Sequence, residues 1–99
     1  KAIGGLSKVV GEKMDHKGLI WGMYVHPEYR GNGAADLIMS QLVDAARGNF
    51  RQVILTLAAD NAGAKRFYER HSFSVYGIEP DAIRRDDGFV DEALMWRLL

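Results

Sequence analysis

The sequence predicts a mixed α/β fold in one domain covering residues 1–99. Residues 19–25 and 52–57 are apolar runs of strand length, and the segment between them has the apolar spacing of a helix. A strand–helix–strand unit of this length favours a right-handed crossover with parallel strands. An Asp-Gly pair at positions 87–88 lies between two further apolar runs and predicts a terminal antiparallel hairpin.

The first elements are two strands joined by a polar turn. Residues 2–11 predict a strand that is weakened by Gly4 and Gly5, and residues 12–18 form the turn. The strand at 19–25 is almost wholly apolar, so we expect it to be central and buried on both faces, with Trp21 in the core. Gly22 inside it predicts a bulge or a close approach by a ligand, and Pro27 ends the strand.

The remaining elements follow from start and stop signals. A helix runs to Arg47 and stops at Gly48, and Asp60 or Asn61 caps a second helix that ends near Ser72. A strand at 73–78 ends before Pro80, and residues 89–98 close the hairpin, with Trp96 also in the core. The expected apolar stripe of the first helix comprises Ala34, Leu37, Ile38, Leu42, Ala45 and Ala46.

Composition excludes several classes of protein. The 99 residues carry zero formal net charge, so no basic field favours a nucleic-acid partner. There is no cysteine, which excludes disulfides, thiolate zinc sites and cysteine nucleophiles, and the three histidines do not have metal-site spacing. No apolar run approaches the length of a membrane helix. We expect a soluble cytoplasmic protein without a metal, a nucleic-acid partner or a membrane partner.

A glycine-rich turn at residues 30–35 is the most informative segment. It opens the first helix, and a helix N-terminus with small side chains binds phosphate or pyrophosphate. The turn fits neither a dinucleotide-binding fingerprint, whose third glycine would be Asp36, nor a Walker loop. Alone, the glycines favour a ligand site and a simple helix cap about equally. The turn consists of Arg30, Gly31, Asn32, Gly33, Ala34 and Ala35.

Two motifs together resemble those of the GNAT acyltransferase superfamily. Arg30, Gly33 and Ala35 match its Gln/Arg-x-x-Gly-x-Gly/Ala cofactor motif. A later motif of the family is matched by Asn61, Ala64, Phe67, Tyr68 and Phe73. The resemblance covers roughly residues 19–99 well and is looser before that. It implies a mostly antiparallel central sheet around a parallel strand–helix–strand core.

The resemblance also implies a function. The chain would transfer an acetyl group from acetyl-CoA to a primary amine by direct attack in a ternary complex. The turn at 30–35, with the backbone up to Asp36, would hold the pyrophosphate. Tyr68 is the expected general acid for the leaving thiolate, and Asn61 would contact the pantetheine amides. The pantetheine arm would pair with the backbone of Met23, Tyr24 and Val25, where the N–H of Tyr24 or Val25 would polarise the thioester carbonyl.

Three departures from the family pattern qualify this interpretation. Ser72 stands where the family usually has glycine, which requires a negative φ or a small strain. No carboxylate lies on the two central strands, so no general base is evident there. The candidates for the base are His26, Asp60 and Tyr24. The family's N-terminal strand and helices are missing, so the chain is a fragment or a short protein that completes itself as a homodimer. The alternative function is a catalytically weak acyl-CoA-binding module.

Overall fold

The computed structural model describes residues 2–11, 13–25 and 33–99. Their elements are β1 (Ala2–Lys8), β2 (Lys17–Val25), α1 (Ala34–Arg47), β3 (Gln52–Ala58), α2 (Ala62–Arg70), β4 (Ser74–Arg85) and β5 (Gly88–Leu98). The strands form a five-stranded sheet in the order β1-β2-β3-β5-β4, in which β1 pairs antiparallel with β2 and β4 pairs antiparallel with β5. The predicted mixed fold with a mostly antiparallel sheet is confirmed.

The chain divides into two compact units. The first comprises Lys1–Val53 with Leu98–Leu99, and the second comprises Ile54–Arg97. The expectation of one domain over residues 1–99 stays a prediction.

In the first unit, a bulge interrupts the pairing of β1 with β2. Ile3 pairs with Tyr24 and Gly5 pairs with Trp21, so one residue of β1 faces two residues of β2, Gly22 and Met23. An extra residue of this kind bends the strand and redirects the backbone that follows. The bulge predicted at Gly22 is therefore confirmed.

Helix α1 has the predicted bounds, but its buried face only partly matches the expected one. It runs from Ala34 to Arg47, with Gly48 as its C-cap, and packs against β1 and β2. Met39, Val43 and Ala46 are its buried residues, whereas Leu37 is 60% exposed. Spacings of four and three residues place these three side chains on one face. The predicted stripe is correct at Ala46, but it included the exposed Leu37 and left out Met39 and Val43.

Trp21 of β2 lies on a sheet surface and not in the core. Its side chain is 53% exposed, and its indole Nε1–H donates to Oγ of Ser7 at 2.8 Å. The ring lies over Gly5, where an added Cβ would come within 2.2 Å of it. Ile20, the neighbouring residue, is buried. The prediction that β2 is buried on both faces, with Trp21 in the core, is therefore wrong at Trp21.

The second unit has a core of alternate residues from its strands. Leu55 and Leu57 of β3 are buried, while Thr56 between them is exposed, as the two-residue period of a half-buried strand requires. The other core residues are Phe73, Ala93 and Met95. Trp96, the next residue of β5, is 36% exposed, which corrects its expected place in the core.

The β4–β5 hairpin is longer than predicted because Pro80 does not end β4. The register shifts between Glu79 and Ile83, where three residues of β4 lie opposite one residue of β5. A proline is compatible with an edge strand at such an irregularity, since its missing N–H is not needed there. Asp81 in this segment takes a positive φ of 52°.

The hairpin turn follows the Asp-Gly signal. Arg85 pairs with Gly88 across the two residues between β4 and β5. Gly88 has a φ of 136°, a region that other residues rarely adopt. The predicted hairpin is confirmed, and its glycine is the first residue of β5.

Candidate functional site

The N-terminus of α1 carries the described part of the predicted phosphate-binding turn. Gly33 is the N-cap, with φ 86° and ψ 1°, and no side chain caps the helix there. Its carbonyl accepts the first helical hydrogen bond, from the Leu37 N–H at 3.0 Å. A Cβ added to Gly33 would meet no atom of the described residues within 4 Å. Ala34 and Ala35 are the first helical residues.

Part of that turn lies outside the described residues. Arg30, Gly31 and Asn32 fall there, as does His26, one of the base candidates. The predicted cofactor-binding turn is therefore described only from Gly33 onward.

The end of β2 carries the other predicted cofactor contact of the first unit. The bulge includes Met23, and Tyr24 and Val25 follow it. Tyr24 pairs with Ile3 of β1, and Val25 pairs with Ala2. The backbone of this segment is thus extended, as strand-like pairing with a ligand requires.

In the second unit, Asn61 caps α2. Its Oδ1 accepts a hydrogen bond from the Ala64 N–H at 3.1 Å, and its own N–H donates to the Ala58 carbonyl at 2.9 Å. An N-cap of this type satisfies one of the unpaired donors of the first turn. The carboxamide oxygen is therefore engaged, and the Nδ2 amino group is the part that remains for a ligand.

Tyr68 lies on the same nine-residue helix, half-buried among aromatic rings. Its ring centroid is 5.4 Å from that of Phe67 and 6.1 Å from that of Phe73, both in edge-to-face arrangements. Burial raises the pKa of the Tyr68 phenol above its usual range. The hydroxyl is consequently protonated at neutral pH.

The turn after α2 fixes Tyr68 in a Schellman motif. The Phe73 N–H donates to the Tyr68 carbonyl at 3.1 Å, and the Ser72 N–H donates to the Glu69 carbonyl at 3.0 Å. The Tyr68–Phe73 ring contact is the apolar contact that accompanies this motif. Ser72 occupies the left-handed position with φ 69°. Serine is therefore tolerated there with strain and not through a negative φ.

His71, the C-cap of α2, anchors the end of this helix. Its carbonyl accepts a part-buried hydrogen bond from Nη1 of Arg97 at 2.9 Å. The end of α2 is therefore held by a side chain of β5.

An ion pair that the sequence did not predict joins the hairpin to the segment before α2. Nη1 and Nη2 of Arg85 donate to Oδ2 and Oδ1 of Asp60 at 2.7 and 3.1 Å. These hydrogen bonds hold the pKa of the Asp60 carboxyl below its usual range and raise the pKa of Arg85. A lowered pKa makes Asp60 a weak general base. In the sequence, Arg85 belongs to the charged run Arg84-Arg85-Asp86-Asp87, and such a run is by itself typical of an exposed turn.

Asp91 makes a second junction close to Asp60. Its carbonyl accepts from the Ala59 N–H at 2.8 Å, and its Oδ1 accepts from the Asp81 N–H at 3.0 Å. One residue of β5 therefore holds both the irregular part of β4 and the segment that leads into α2. An open cleft beside it is lined by Ala59, Asp60, Phe89, Val90 and Asp91.

The described residues do not form two other kinds of site. Among residues 2–11, 13–25 and 33–99, no three His, Asp or Glu side chains are grouped so as to hold a metal ion. Neither described helix is long and apolar enough to cross a membrane.

Comparison with known proteins agrees with this architecture. The sequence profile of the acetyltransferase (GNAT) family matches residues 2–73. An acetyltransferase of the GNAT family from Streptococcus pneumoniae superposes with a TM-score of 0.90 at 24% identity, covering 99% of this chain and 60% of that one. The ribosomal-protein-S18-alanine N-acetyltransferase from Escherichia coli superposes with a TM-score of 0.84 at 21% identity, covering 98% and 60%. No curated protein matches the sequence significantly.

A third similar structure was solved with a ligand. Arabidopsis thaliana NAA60 in complex with acetyl-CoA has a TM-score of 0.78 and 25% identity, with 84% of this chain and 48% of that chain covered. The fold is thus that of the GNAT acetyltransferases. Since the profile matches most of its length, the chain belongs to the acetyltransferase (GNAT) family. It spans about 60% of the length of the first two of these structures.

Proposed function

We propose that the chain is the core of an acetyl-CoA-dependent N-acetyltransferase whose acceptor is a primary amine. The observation that carries this proposal is Tyr68, a half-buried, protonated phenol held on α2 of a GNAT fold. Acetyl-CoA, when bound, supplies an activated acetyl group as a thioester. The chain's own residues hold this cofactor and provide the proton for its leaving group.

The start of α1 is proposed to hold the pyrophosphate. A helix N-terminus carries about half a positive charge. Among the described residues nothing lies within 4 Å of a Cβ placed on Gly33, and its φ of 86° suits glycine. Arg30, Gly31, Asn32, Ala34 and Ala35 complete the proposed binding turn. A glutamate at position 33 would fill that space with negative charge, so Gly33→Glu should abolish binding.

The pantetheine arm is proposed to contact two segments. The extended backbone of Met23, Tyr24 and Val25 is suited to hydrogen-bond an amide chain as a further strand would. Asn61 is proposed to donate from Nδ2 while its Oδ1 caps α2. Asn61→Asp keeps the cap acceptor and removes the donor, so it should weaken CoA binding without lowering the melting temperature.

Tyr68 is proposed as the general acid. The phenol holds a proton at Oη across neutral pH and would donate it to the sulfur that leaves when the amine takes the acetyl group, while the proton lost by the amine nitrogen would pass to water. The edge-to-face contacts with Phe67 and Phe73 fix the ring, so that little reorganisation precedes proton transfer.

The experiment combines calorimetric titration of CoA and acetyl-CoA with turnover on a panel of amines. Tyr68→Phe should lower kcat by about 100-fold or more while the CoA affinity is kept. The control is Tyr76→Phe in β4, where the side chain is 54% exposed; this change should alter neither kcat nor CoA affinity. Unchanged turnover in Tyr68→Phe would favour the acyl-CoA-binding module. No CoA binding by the folded chain would overturn the proposal.

A homodimer is proposed as the assembly. Among the described strands β1 lies at one edge of the sheet and pairs with β2 alone, so its outer backbone groups form a template for another strand. A second copy presenting the same edge would satisfy them. A clean monomer in sedimentation at high protein concentration would contradict this.

A further inference from the structure

The Asp60–Arg85 pair joins two segments that lie 25 residues apart in the sequence. Arg85 is the last residue of β4, and Asp60 lies between β3 and α2. Both side chains are partly exposed, Arg85 at 41% and Asp60 at 56%, so water screens their charges. The two parallel hydrogen bonds nevertheless fix the relative direction of the two groups, because a guanidinium and a carboxylate match as planar forks.

The same short segment is tethered at its other end. The Ala59 N–H donates to the Asp91 carbonyl at 2.8 Å, so residues 59 and 60 are both held by the β4–β5 hairpin. Asn61 comes next, and its N–H returns to the Ala58 carbonyl. The position of Asn61 thus depends on the two residues before it, 59 and 60, and both of these are held by the β4–β5 hairpin.

We propose that the Asp60–Arg85 pair is a positioning element that couples the β4–β5 hairpin to Asn61 and sets the direction in which the Asn61 amide meets the cofactor. The cofactor part of this inference rests on the proposed function. Neither Asp60 nor Arg85 needs to touch the cofactor. Their effect passes through the backbone of residues 59–61 and the cap that Asn61 forms on α2.

The test compares Arg85→Gln with Arg84→Gln, a matched loss of one positive charge at the neighbouring position. The first readout is amide hydrogen exchange at Ala59, Asn61 and Ala64, whose N–H groups all donate in this segment. Arg85→Gln should speed exchange about threefold, the range of an exposed ion pair, and Arg84→Gln should not. The second readout is CoA affinity, expected to fall about threefold with kcat at saturation unchanged.

A double-variant cycle completes the test. Asp60→Asn with Arg85→Gln should be no worse than either change alone, because each removes the same pair. Exchange that stays at the wild-type rate, or Arg84→Gln with the same effect, would overturn the coupling. Faster exchange with unaltered CoA affinity would overturn the cofactor part. If the wild-type chain binds no CoA, the proposed function and the cofactor part fail together, while exchange still decides the coupling.

Discussion

Replacing Ser72 with glycine should stabilise the chain. Ser72 holds the left-handed position of the Schellman motif with φ 69°, where a Cβ costs roughly 1–2 kcal/mol. Glycine loses about 0.5–1 kcal/mol more backbone entropy on folding, which offsets part of that gain. The side chain of Ser72 is exposed, so its removal forfeits little packing. Taking the middle of each range, the net expectation is a gain of about 0.75 kcal/mol.

Thermal and urea unfolding followed by circular dichroism measure this effect. For a chain of this size, a gain of that magnitude corresponds to a rise in Tm of about 3–6 °C. Ser72→Ala is the matched variant, because it removes the hydroxyl and keeps the Cβ. Ser72→Gly should be the more stable of the two. Equal stabilities, or a less stable glycine variant, would refute the argument that strain resides in the Cβ at this φ.

Three further outcomes follow from particular contacts in the two units. Gly5→Ala should displace the Trp21 indole, because the new Cβ would lie 2.2 Å from the ring. Loss of the indole hydrogen bond to Ser7 should lower the free energy of unfolding by about 1 kcal/mol and shift the tryptophan fluorescence. Met39→Ala should cost about 2–5 kcal/mol in urea unfolding, since Met39 is fully buried, whereas Leu37→Ala should change stability by less than about 0.5 kcal/mol. The folded pKa of Asp60 is lowered, so its contribution to stability is present above the unfolded pKa of about 4 and is lost as pH falls through the folded value.

Each of these outcomes has its own control. Gly48→Ala introduces a Cβ at a negative φ that would meet no described atom within 4 Å, so it should be neutral or stabilising where Gly5→Ala is not. Equal losses for Met39→Ala and Leu37→Ala would contradict the observed burial. The pH effect is read as the stability difference between the wild type and Asp60→Asn. A difference that does not shrink in acid would mean that the ionised pair contributes nothing.

Local signals in the sequence were sufficient for the bounds of the helices. The cap hydrogen bonds of both helices are local: the Gly48 N–H donates to the Ala46 carbonyl, and Oδ1 of Asn61 accepts from the Ala64 N–H, so residues within three positions were enough to predict these caps. Gly22 identified the bulge, since a glycine weakens the interior of a regular strand and is favoured where the strand is irregular. For the site, Tyr68 and Asn61 emerged from their motif, and the structure places Tyr68 on α2 and Asn61 at its N-cap.

Features that depend on distant residues could not be predicted in this way. The buried face of α1 is set by what it packs against, so the apolar spacing alone placed Leu37 in the stripe and missed Met39 and Val43. Pro80 lies inside β4 because the strand is at an edge and irregular there, which only the pairing with β5 reveals. The Arg85–Asp60 pair joins residues 25 positions apart, and no local pattern distinguishes Arg85 from Arg84.

The irregularity of β4 also limits how this sheet can grow. Pro80 has no N–H to offer a neighbouring strand, and the N–H of Asp81 is directed to Asp91. Of the two outermost described strands, β1 therefore has the more regular backbone for pairing. A fibre needs two compatible edges on every molecule, whereas one edge permits only a closed pair. Association through these strands should accordingly stop at two copies and not propagate.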